Sequence, residues 1–277
     1  MDRHFACTAC GKCCTRGPEM ELSEATALAD VFITRLMFKL HSLPLDARSM
    51  RAALWAKREG SGLPVRKALA EARELMARFS LYDEADAANE RSLHLTLSAL
   101  PVHGGQQCPA LIGDRYGIYA RRPAGCGTVP FHYSRASSTL GAYLDAFARI
   151  PGHACDTSRD APVALRGAAV AAPGMARARD DGLALTAADR PWKAAIVALV
   201  RSEHAGHAGL PRYGEILRNA ATGATTVSMF AAWQVARREG FMAPLAFEDV
   251  CRKQATLLHA EAGRDGMFRD ILADYRR

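Results

Sequence analysis

Cys7-Thr8-Ala9-Cys10-Gly11-Lys12-Cys13-Cys14 places four of the chain's eight cysteines in one short stretch. The others, Cys108, Cys126, Cys155 and Cys251, stand far apart. A C-x-x-C turn brings two sulfurs to one side of a loop, so the pair can bind one ion. Cys7, Cys10 and Cys13 repeat that spacing. Three thiolates so spaced, with a remote fourth, are the ligand pattern of bacterial ferredoxin-type iron–sulfur sites. Gly11 permits a tight turn close to a metal. Lys12 sets a positive charge beside the thiolates, which favours their ionised form and offsets the charge of a cluster. Cys14 departs from the pattern, because adjacent residues do not easily aim both side chains at one small ion. Either Cys13 and Cys14 both ligate and the site is polynuclear or double, or one of them is packing or a reactive thiol.

The compartment bears on the choice between metal and disulfide. Met1-Asp2-Arg3-His4-Phe5 lacks the apolar core of a signal peptide. A cytoplasmic location is therefore expected, where clustered cysteines bind metals or do chemistry rather than form bridges. Hydrophobic residues make up 49% of the 277, enough for a sizeable core. There is no apolar run long enough to cross a membrane. The net charge of +7 comes from dispersed arginines. Without a dense basic block interleaved with aromatics, nucleic acid is not an expected partner.

Outward from the cluster, the spacing of Leu28, Val31, Phe32 and Leu36 predicts a buried helix over 24–41, capped by Ser23 and ended by Pro44. Helices are expected over 46–60 and 64–82. Leu93, Leu95 and Leu97 alternate with His94 and Thr96, a short strand signal. Two strands joined by Gly113-Asp114 are expected within 109–119. A helix fits 138–149. Residues 161–182, rich in Ala, Arg, Gly and Pro, read as a linker. The pattern beyond is helical: 187–204, 212–220, 225–239, 245–262 and 266–276. Cys108, Cys126 and Cys155 fall in Gly- and Pro-flanked turns and are candidate remote ligands. Cys251 falls mid-helix and reads as packing. His204 and His207 read as a helix end rather than a metal pair. No Walker loop, G-x-G-x-x-G, H-E-x-x-H or G-x-S-x-G motif occurs.

Taken together, Phe5, Cys7, Cys10, Gly11, Cys13 and Cys14, then Cys108-Pro109-Ala110-Leu111, Ile118-Tyr119-Ala120-Arg121-Arg122-Pro123, Cys126 and Cys155 resemble the YkgJ-like cysteine-cluster family. The resemblance spans residues 5–156 and implies a zinc- or iron-chelating protein. It departs at Tyr116, where the family has a further cysteine, and at Gly127, where the family has arginine. The first departure implies fewer metals, or a ligand borrowed from His132, His153 or Tyr116. Flagellin lysine N-methylases carry a similar cluster, which implies S-adenosylmethionine-dependent methyl transfer as an alternative activity.

The expected fold is mainly α, with a small irregular cysteine-rich metal subdomain and a short β-hairpin. The expected division is a cysteine-cluster domain over 1–160, a linker over 161–182 and a helical region over 183–277. The expected metal ligands are Cys7, Cys10, Cys13, Cys14, Cys108, Cys126 and Cys155, holding iron, with a [4Fe–4S] cluster as one form, or zinc; thiolates suit both. Under the enzyme alternative, Lys12, Arg121 and Arg122 would hold the carboxylate of S-adenosylmethionine. Charge compensation and bracing of the Cys126 loop are the plainer roles for those cations. No catalytic residue and no protein partner can be named from the sequence.

Overall fold

The computed structural model describes residues 2–8, 11, 17–59, 63–105, 107–113, 115–221, 223–263 and 266–275. The helix expected over 24–41 is replaced by two elements. Helix α1 covers only Leu22–Ala27, and Ile33–Pro44 is the long strand β2. Ile33 and Thr34 are β-branched and favour the pleated backbone. The first half of β2 is buried on both faces, at Ile33, Thr34, Leu36, Met37 and Phe38. A strand covered on both sides reads as a continuous apolar run, which periodicity alone does not separate from a buried helix.

About 50% of the chain is helical and 18% is strand, so the fold is mixed α/β and not mainly α. Among the described residues, three sheets are formed. The first runs β1 (Asp2–His4), β7 (Val163–Arg166), β8 (Ala169–Val170). The second runs β3 (Tyr82–Asp86), β4 (Arg91–Val102), β2, β9 (Thr225–Ser228). The third is the expected hairpin of β5 (Leu111–Ile112) and β6 (Arg115–Tyr116), paired Leu111 to Tyr116 and Ile112 to Arg115. Residues 161–182, which read as linker, hold β7, β8 and the opening turns of α6 (Pro173–Val200). The helix expected from 225 begins instead as β9, followed by α8 (Met229–Arg238) with Ser228 as its N-cap.

The chain divides into two units, 1–35 with 99–189 and 243–277, and 36–98 with 190–242. The second unit carries most of the four-stranded sheet, with α2 (Met50–Glu59), α3 (Val65–Phe79) and α7 (Tyr213–Asn219). In β4, Leu93, Leu95 and Leu97 are buried and alternate with half-buried Ser92, His94 and Thr96. His94 is bonded to Ser92 at 2.9 Å and serves the sheet surface. Trp233 of α8 is fully buried, and the Trp192 indole donates to Ala232 O at 3.0 Å.

Two apolar clusters of described residues lie in the first unit. One gathers Phe5, Phe131, Leu140, Leu144, Phe147, Ala164 and Leu165, with Val129 and Cys155 packed against it. The other joins Ile33 and Val102 to Leu258 of α9 (Pro244–Glu261) and to Phe268, Ile271 and Leu272 of α10 (Gly266–Asp274). Gln254, fully buried in α9, ties the turn after α1. Its Nε2 donates to Ala29 O at 2.8 Å and Phe32 O at 2.6 Å, and its Oε1 accepts from Thr34 N at 3.2 Å.

Among the described residues, the small irregular cysteine-rich metal subdomain expected from the sequence is not found. Cys7, Cys108, Cys126 and Cys155 are built into the first unit with its sheet and helices. Among the described residues, no group of three or more His, Cys, Asp or Glu side chains is placed to hold a metal ion. No helix among the described residues is long and apolar enough to cross a membrane.

Candidate metal centre

Strand β1 delivers Cys7. Asp2, Arg3 and His4 pair antiparallel with Arg166, Leu165 and Val163 of β7. Arg3 forms a double hydrogen bond with Asp145 of α5 (Leu140–Phe147), each at 3.0 Å, and holds that carboxyl below the usual carboxylate range. Gly141 makes room for it, since a Cβ there would lie 2.9 Å from the guanidinium carbon. Phe5 then turns into the apolar cluster, edge-on to Phe147.

The next residue sets the register that matters. Ala6 and Asp156 form an antiparallel bridge and exchange both backbone hydrogen bonds, at 2.8 and 3.0 Å. The Thr8 hydroxyl donates to Ala154 O at 3.0 Å. Cys7 and Cys155 lie between these two ties, each next to the isolated bridge. Cys7 is exposed and Cys155 half-buried. One remote candidate and the first cysteine of the motif thus flank the same bridge.

At the far end of the motif the chain is pinned again. Met20 and Ala99 exchange both backbone hydrogen bonds, each at 2.9 Å. Cys126 lies in α4 (Ala124–Gly127), a single turn entered through Pro123. Gly125 sits against the chain leaving the motif, for a Cβ on it would fall 3.3 Å from Pro18 Cβ and 3.4 Å from Glu19 O. Val129, which follows α4, packs on the same apolar cluster as Phe5 and Cys155. Cys155 and Val129 thus pack on the apolar cluster that holds Phe5, while Gly125 lies against Pro18 and Glu19.

Cys108 is 2% exposed and opens a turn closed by Leu111 N to Cys108 O at 3.0 Å, with Pro109 suited to the position after it. Nothing among the described residues brings it into a ligand group with Cys7, Cys126 or Cys155. Cys251 lies half-buried in α9. Cys10, Lys12, Cys13 and Cys14 fall outside the described residues.

The two candidate cofactor arginines have partners within the protein. Arg121 pairs with Asp30 at 3.2 Å. Arg122 lies over the Tyr119 ring, 4.2 Å from its centroid, and its Nε is 3.5 Å from where a Cβ would sit on Gly127. These contacts favour bracing of the Cys126 turn over carboxylate binding.

Of the histidines named as substitute ligands, His132 is stacked on Tyr133 at 4.4 Å between ring centroids. Its Nδ1 accepts the Ser134 N–H at 3.3 Å, which leaves the proton of the neutral ring on Nε2. Burial, and then the neighbouring Arg135, push its pKa down to about 4. His153 packs on Phe147 at 4.6 Å, and its buried Nδ1 has no hydrogen-bond partner among the described residues. Tyr116 joins β6 through its backbone.

A polar group that the sequence reading missed supports α4. Glu24 Oε1 accepts the Ala124 N–H at 2.6 Å, at the start of α4, and its Oε2 accepts the Glu21 N–H at 3.0 Å. Burial raises the Glu24 pKa, and Glu21 and Asp189 add to the rise. Buried Glu21 takes the hydroxyls of Thr186 at 2.8 Å and Tyr133 at 3.3 Å. Burial, helped by Glu21, keeps the Tyr133 phenol protonated far above its ordinary range. Arg179 of α6 donates to the carbonyls of Phe131, His132 and Arg135 at 2.7–2.9 Å, fixing the stretch after α4. Glu24 is the third helical residue of α1 and bonds back to Glu21 N, but Glu at the cap lies outside the Ser/Thr/Asp/Asn set that signals a capping box in sequence.

No family model, curated protein or solved structure matches the chain. The arrangement rests on its own geometry. It has an exposed thiol and a half-buried one next to the same backbone bridge, a third on a braced helical turn, and the remaining motif cysteines in the sequence between their anchors.

Proposed function

We propose that the chain is a metal-binding protein of the cysteine-cluster type. Cys7, Cys10, Cys13 and Cys14 supply the local thiolates, with Cys108, Cys126 and Cys155 as remote ligands. The metal is iron, with an iron–sulfur cluster as one form, or zinc. The observation that carries this reading is the Ala6–Asp156 bridge, which joins the residues next to Cys7 and Cys155 across a long separation in sequence. The contact of Gly125 with Pro18 and Glu19 supports Cys126 in the same role. Thiolates are soft donors that select zinc and iron–sulfur clusters over hard cations. The fit is one of donor type and placement: the described thiols do not form a three-ligand group, so the site depends on the motif cysteines between them.

Anaerobic purification followed by metal and labile-sulfide analysis tests the reading. Iron with sulfide and a broad absorption near about 400 nm supports an iron–sulfur centre. A colourless protein with stoichiometric zinc supports a zinc site. A protein that retains neither metal, and takes up neither when reduced and supplied with it, refutes the reading.

A further inference from the structure

We infer that Cys7 and Cys155 are a redox pair that closes into a disulfide in the metal-free protein. This adds a redox control to the proposed metal site and rests on that reading only where metal protection is concerned. Ala6 and Asp156 exchange both of their backbone hydrogen bonds in an isolated antiparallel bridge, and Cys7 and Cys155 are the next residues beside it on the two segments. Opposed Cα atoms at such a hydrogen-bonded bridge lie about 5.5 Å apart. Disulfides span Cα separations of about 4.4–6.8 Å. The two cysteines lie between that backbone bridge and the bond from the Thr8 hydroxyl to Ala154 O. Phe5 N to Pro162 O, at 3.1 Å, fixes the incoming strand. The two segments are therefore held side by side where the bond would close.

Exposure divides the roles. Cys7 is exposed and meets the oxidant, and Cys155 is half-buried and resolves the intermediate. With a small-molecule disulfide such as oxidised glutathione, the Cys7 thiolate attacks one sulfur and expels a glutathione thiolate, leaving a mixed disulfide. The Cys155 thiolate then attacks the Cys7 sulfur and expels the second glutathione. The protein dithiol loses two electrons, one glutathione disulfide becomes two thiols, and the two protein thiol protons end on them. When both sulfurs are occupied by metal, neither is available as a nucleophile, so loading and oxidation compete.

The test uses the full chain, stripped of metal under reducing conditions and then equilibrated with a glutathione redox buffer. After alkylation and trypsin, the link joins the peptides 4–12 and 150–159, and fragmentation places it on Cys7 or on Cys10. The expected result is a Cys7–Cys155 link that disappears on reduction and is lost in Cys155→Ser. The protein loaded with zinc or iron should give about tenfold less of it, as mass action requires when the metal is well above its dissociation constant. If Cys155 stays reduced, or joins another cysteine, while the protein still binds metal, the inference is overturned and the metal reading stands. If the link forms but no metal binds under any condition, the pairing is upheld and the metal reading fails.

Discussion

A methyl group on Gly182 would fall 2.6 Å from Cγ and Cδ1 of Tyr133. The ring has little room to retreat, because its hydroxyl bonds Glu21 and its face stacks on His132. Gly182→Ala gains about 1 kcal/mol in helix propensity but forces overpacking that costs about 1–3 kcal/mol. The expected net is a lower urea midpoint, and an unchanged or higher midpoint would mean that Tyr133 moves freely. His132 gives a pH signature. Its pKa lies near 4 when folded, against an ordinary value of 6.5. The unfolded chain therefore binds the proton more readily between those values, and its contribution is complete above about 6.5 and lost as pH falls towards 4. The loss should reach about 3 kcal/mol or less. His132→Gln should flatten the difference in unfolding free energy between pH 7 and pH 4.5. An unaltered slope would show that another group is responsible.

Two contacts between elements hold the first unit together, and each has a consequence. Gln254→Leu in α9 leaves the Thr34 N–H and the Ala29 and Phe32 carbonyls without their partner at a buried position. Unsatisfied buried groups cost about 1–3 kcal/mol each, so a loss of about 3 kcal/mol or more is expected in chemical denaturation. Glu24→Ala frees the N-terminus of α4 and should cost about 1–2 kcal/mol, the range of a lost cap, and lower metal content together with it. Glu24→Gln keeps an acceptor and should lie between the two. Equal metal content in all three proteins would separate α4 from the site. The hairpin at Gly113, α2, α3 and the alternation in β4 were legible, because turn residues, helical spacing and period two are local signals. Strand β2 was not, since burial on both faces erased its alternation. Residues 161–182 were not either, because β7 gains strand character from pairing with β1, a partner distant in the sequence.

At the scale of the molecule, seven cysteines were legible as candidates from residue type and spacing, but not which of them the fold brings near one another. The placement of Cys7 and Cys155 depends on a backbone bridge between residues 6 and 156, which neither sequence neighbourhood encodes. If these thiolates share a centre, bound metal ties the N-terminal strand to the loop after α5. Metal at a hundred times its dissociation constant should then add about 2.7 kcal/mol to stability. A chelator should lower the melting temperature of the native chain, and much less that of the Cys7→Ser, Cys155→Ser double variant. The most direct test of the central claim is X-ray absorption at the edge of the metal retained after anaerobic purification. The account predicts a first shell dominated by sulfur at about 2.3 Å, with fewer sulfur ligands in Cys155→Ser. A shell of nitrogen and oxygen only, at about 2.0–2.2 Å, or a sulfur count unchanged in that variant, would contradict it.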